Sequence, residues 1–173
     1  MIGKAPPPLW RSQSCRKFHI VSLGCAKNTV DSDGMAHVLA AAGYRPTDRP
    51  ADADIVIVNT CGFIAAAREE SLGILRDLAK GKKDKQLLIA AGCMAQRDGE
   101  AMPTWVPKLD GVIGTRRWMD VVDFIARLRR RDDRRPLYHL PGNARTVGRD
   151  ERGVPRVSIQ GGSAYLKIAD GCR

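Results

Sequence analysis

Two hydrophobic periods alternate along this chain. Short apolar runs of strand length recur at Phe18 to Leu23, Ile55 to Val58, Gln86 to Ala91 and Gly111 to Gly114. The β-branched run Ile55-Val56-Ile57-Val58 has no polar break, as expected of a strand covered on both faces. Between these runs, apolar residues recur three and four apart. Val30, Met35, Val38, Leu39 and Ala42 do so in the first interval. Leu72, Leu75 and Leu78 do so among Arg68, Glu69, Glu70, Arg76 and Asp77 in the second. That is the pattern of an amphipathic helix. Further helices are predicted over 94–101 and 118–128, the latter with Met119, Val122, Ile125 and Ala126 on one face. Asn28 reads as an N-cap with Asp31 in the first turn, Gly43 as a helix stop and Pro103 as the end of the third helix. Alternating strands and helices predict an α/β domain over 17–131, a parallel sheet flanked by helices.

The flanks read differently. Residues 1–16 are Pro-rich and basic and predict a disordered tail. Residues 132–160 show weak periodicity and predict a linker. Tyr165 to Ile168 reads as a strand with no partner, the first strand of a second domain, truncated within 161–173. No run approaches the length of a membrane span, and the first residues lack the apolar centre of a secretory signal. The chain therefore reads as cytoplasmic, with no membrane partner.

The net charge is +10, which suits RNA or a ribosome as partner. The excess is uneven: Arg127, Arg129, Arg130, Arg131, Arg134 and Arg135 form one run, and Arg145, Arg149, Arg152 and Arg156 follow. Such a run is either a solvated helix end or an RNA or ribosome contact. Aromatic residues do not interleave with it, which argues against a base-stacking platform.

The cysteines carry the chemistry. Cys25, Cys61 and Cys93 each follow an apolar run, at gaps of 36 and 32 residues. On parallel strands the three thiols emerge at one edge, beyond the carboxyl ends, where open α/β sheets bind ligands. Three thiols with no obvious fourth suggest an iron–sulfur cluster with one open iron. Other readings stay open: buried structural cysteines, zinc held by three cysteines and a histidine, or one nucleophilic cysteine. His37 in a helix and His139 in the linker are poor fourth ligands, and no His/Asp partner for a nucleophile is visible. Cys15 lies outside the shared register and reads as an unligated thiol. Gly24, Gly62 and Gly92 each adjoin a cysteine and permit close backbone approach. Lys27 could add a cation, and Asn59 and Thr60 could hydrogen-bond cluster sulfurs.

The words around these cysteines resemble a known family. Ser22-Leu23-Gly24-Cys25-Ala26-Lys27-Asn28 with Val30-Asp31-Ser32-Asp33 resembles the opening motif of the methylthiotransferases. Asn59-Thr60-Cys61-Gly62-Phe63-Ile64 with Glu70-Ser71 resembles their second motif, and Ala91-Gly92-Cys93-Met94-Ala95-Gln96-Arg97 their third. Ala164 to Cys172 resembles the entry to their radical S-adenosylmethionine domain. The resemblance implies a transferase with two 4Fe-4S clusters that uses S-adenosyl-L-methionine. Cys25, Cys61 and Cys93 match the auxiliary-cluster ligands, and Cys172 matches the first ligand of the radical cluster. The Lys-Asn pair after Cys25 and the Gly-Phe-Ile after Cys61 resemble the branch that modifies an aspartate of a small-subunit ribosomal protein. The tRNA-adenosine branch and a non-catalytic basic module that docks on RNA or ribosomes are the alternatives. With the remaining radical-cluster ligands and the barrel missing, the 173-residue chain alone is expected to be inactive.

Overall fold

The computed structural model describes residues 16–133, 135–140 and 156–168. Residues 1–15 of the tail read as disordered, Cys15 among them, and Cys172, Arg134, Arg145, Arg149 and Arg152 lie outside the described residues.

Six strands form one parallel sheet: β1 (Lys17–Ser22), β2 (Arg45–Pro46), β3 (Ile55–Thr60), β4 (Leu87–Ala91), β5 (Gly111–Gly114) and β6 (Leu137–His139). Their spatial order is β2-β1-β3-β4-β5-β6. The helices are α1 (Ala26–Ala41), α2 (Ala65–Lys80), α3 (Gly92–Asp98), α4 (Met102–Trp105) and α5 (Val121–Arg129). Because strand side chains alternate, each strand feeds two cores. Ile55, Ile57, Ile89 and Ile113 pack with Met35 and Leu39 of α1 and with Phe124 and Ile125 of α5. Val56, Val58, Leu88 and Val112 pack with Leu72 and Leu75 of α2, Met94 of α3 and Met102 of α4. All six residues of β3 are buried, as its unbroken apolar run demands. The chain goes from β1 outward to β2 and then crosses to β3 on the other side. That reversal opens a crevice at the carboxyl ends of β1 and β3.

Several expectations are corrected. α1 starts at Ala26, not at Asn28, and its N-cap position is Cys25. Pro103 sits in the first turn of α4 rather than ending a helix, a place where its missing N–H costs nothing. The segment read as a linker supplies β6, which pairs with β5, and β7 (Val157–Gln160). The strand read as unpartnered is β8 (Ser163–Leu166), which pairs antiparallel with β7 in a hairpin. Each of these strands has four residues or fewer, too short to show a period.

Candidate functional site at the thiol edge

Adjacent strands β1, β3 and β4 deliver the three cysteines. Ser22 pairs with Asn59 and Asn59 with Ala91, so the loops bearing Cys25 and Cys61 and the first turn of α3, which bears Cys93, leave the sheet side by side. Cys25 is exposed, Cys61 buried and Cys93 between the two. Cys25 occupies the N-cap position of α1, where orphan N–H groups and the helix dipole favour negative charge.

The loops are held by polar groups that face inward. Asn28 is 1% exposed. Its amide donates to Leu23 O at 2.7 Å and to Thr60 O at 3.1 Å, while its Oδ1 lies 3.8 Å from Cys93 Sγ. Predicted as a cap, Asn28 instead ties all three cysteine loops together. Asn59 donates to Asn28 O at 2.8 Å and to Ser32 Oγ at 3.0 Å. Thr60 Oγ1 donates to Ala91 O and accepts from Ala95 N. Asn59 and Thr60 therefore brace backbone and helix rather than aim their donors outward. Lys27 is exposed.

Two further residues fasten the Cys61 loop. The Ser71 hydroxyl of α2 accepts from Cys61 N and donates to Cys61 O, both at 3.1 Å. Arg97 of α3 donates to Gly62 O at 2.8 Å and pairs with Asp98 at 2.9 Å. Their presence inside the second and third motifs was the available signal. Gly24 is required for two reasons: its φ is +87°, and a Cβ there would lie 2.7 Å from Cys61 Sγ.

Burial pushes the Cys93 thiol above the ordinary range. The neighbouring Cys25 and Cys61 thiolates and the Asp31 carboxylate push it further, while the Lys167 ammonium pulls it back. Both other cysteines thus act on Cys93 through space. Among the described residues, no three His, Cys, Asp or Glu side chains form a group that could hold a metal ion. His37 is exposed in the second half of α1. His139 belongs to β6, and its Nε2 lies 2.9 Å from Asp120 Oδ2. Iron–sulfur clusters take thiolates, and the three cysteines on adjacent segments offer donors of that kind. Gly24 lets the Cys25 loop approach the Cys61 side chain closely.

The arginine run lies elsewhere. Arg129 donates to Asp54 O and Lys85 O, just before β3 and β4, at the edge of the sheet opposite the thiols. Arg131 pairs with Asp133. Among the described residues, no helix is long and apolar enough to cross a membrane.

The profile of the Uncharacterized protein family UPF0004 matches residues 17–114, more than half of the chain. The chain belongs to that family. It is also similar to ribosomal protein uS12 methylthiotransferases. The enzyme of Roseiflexus sp. (strain RS-1) is 46% identical over 171 residues, covering 90% of this chain and 36% of the relative. That of Herpetosiphon aurantiacus is 52% identical over 110 residues, covering 64% and 24%. That of Chloroflexus aurantiacus is 42% identical over 166 residues, covering 90% and 36%. The chain thus spans about a third or less of the length of these relatives. The family match spans all three cysteine-bearing loops.

Proposed function

We propose that this chain is the N-terminal part of a methylthiotransferase that modifies an aspartate of small-subunit ribosomal protein uS12. The reading is supported above all by three cysteine-bearing segments side by side at the carboxyl ends of β1, β3 and β4. Cys25, Cys61 and Cys93 would hold an auxiliary 4Fe-4S cluster, and Cys172 would be the first ligand of a second cluster that works with S-adenosyl-L-methionine. When bound, the auxiliary cluster would supply an iron site open to the sulfur that is transferred. The chain's own residues orient the thiols. Asn28 joins the three cysteine-bearing segments, and Ser71 and Arg97 pin the Cys61 loop. The reaction occurs in the cytoplasm, with ribosomal protein or ribosome as partner.

The test is anaerobic loading of the chain with iron and sulfide, followed by iron and sulfide analysis. The wild type is expected to retain both, and Cys25→Ala, Cys61→Ala and Cys93→Ala each to lose them. A colourless wild-type chain without iron rejects the reading. In the full-length protein, mass spectrometry of uS12 and of tRNA separates the two substrates.

A further inference from the structure

The β7–β8 hairpin attaches to the domain by charge. Among its described residues Ser158 and Lys167 are buried, whereas Ile159, Leu166 and Ile168 are exposed. Lys167 Nζ donates to both carboxylate oxygens of Asp31, at 2.6 and 2.7 Å. The two side chains are 3% and 4% exposed. Asp31 lies in the second turn of α1, the helix that begins immediately after Cys25. Lys167, the residue after β8, is thereby joined to the helix that starts at the thiol edge. The hairpin backbone continues the anchor: Lys167 N donates to Arg156 O at 2.9 Å.

A buried ion pair is a weak source of net stability, because desolvation of both ions offsets most of their attraction. It is a strong source of position, because separating the partners leaves a buried charge uncompensated. Among the described residues of the hairpin, the large apolar side chains Ile159, Leu166 and Ile168 face outward, and the buried side chains are Ser158 and Lys167.

We propose that Asp31 and Lys167 form a latch that holds the β7–β8 hairpin against α1, the helix that starts at the thiol edge. Both are positioning residues. Their bearing on catalysis rests on the function proposed above; the latch itself does not.

Amide hydrogen exchange on the metal-free 173-residue chain tests it, with Lys167→Met, Asp31→Asn and Lys167→Arg. In the first two variants, exchange over residues 157–166 is expected to speed at least tenfold while β3 and β4 keep their protection. Lys167→Arg, which keeps the charge, is expected to stay within about threefold of the wild type. Unchanged hairpin exchange in the first two variants overturns the latch. So does equal loss in β3 and β4, which would mean that the pair supports the whole sheet. So does equal loss in Lys167→Arg and Lys167→Met, which would make shape rather than charge the cause. Iron content is measured separately, so failure of the latch and failure of the cluster reading are distinguishable.

Discussion

At the scale of single residues, Asn28 shows how tertiary context redirects a local signal. Its place after a loop and before a helical pattern is that of an N-cap. The helix takes in three more residues, Ala26, Lys27 and Asn28 itself, and Asn28 turns inward, because the carbonyls of Leu23 and Thr60 and the Cys93 thiol converge there. Asn28→Ala leaves buried carbonyls unpaired and is expected to cost about 1–3 kcal/mol, read as a lower urea midpoint. Gly24→Ala forces a side chain into the left-handed region and against Cys61. It is expected to cost about 1–2 kcal/mol from the backbone alone. Because the displaced group is a cysteine of the site, iron loading should fall by more than the urea midpoint does. Equal retention of iron and stability in Gly24→Ala would show the cradle to be slack.

At the scale of elements, legibility follows length and burial. β3 and α2 were readable because six buried residues and sixteen helical ones show their periods. Leu75 of α2 is fully buried against the Val56 and Val58 face. Leu75→Ala is therefore expected to cost about 2–5 kcal/mol, whereas Asp77→Ala, on the exposed face, should stay within about 0.5 kcal/mol. Chemical denaturation of both variants checks the contrast. β6 escaped prediction because three half-exposed residues between polar stretches carry no period. It is recognised only by its pairing with β5.

At the scale of the whole molecule, charge gives the domain opposite responses to acid and to base. Burial works to raise the Asp120 carboxyl, but Arg117 and His139 outweigh it and hold the group below the usual carboxylate range. Hydrogen bonding to Arg97 does the same for Asp98. Depressed carboxylates stabilise the fold above their unfolded pKa, about 3.9. That contribution is lost as pH falls through the lower native values. Cys93 has the reverse sign: raised first by burial and then by Cys25 and Cys61, it stabilises the thiol form below about pH 8.5. That contribution fades as pH rises through the native value. Thermal unfolding of the metal-free chain between pH 3 and 10 is expected to show both arms. Cys93→Ala should remove part of the alkaline one, and an unaltered alkaline arm in that variant would contradict the assignment. Iron loading should run the other way and improve with pH, because thiolate ligands must shed their protons.

The sequence by itself determined the long elements, the parallel α/β class and the place of each cysteine just past a strand. Those properties are written in local periodicity, and each strand end carries its own motif. Tertiary structure alone decided the strand order that makes the three loops neighbours, the inward turn of Asn28 and the union of Asp31 with Lys167. The physical reason is separation along the chain. Partners 136 residues apart leave no periodic trace, and only the packed sheet and its helices bring them within reach of one hydrogen bond.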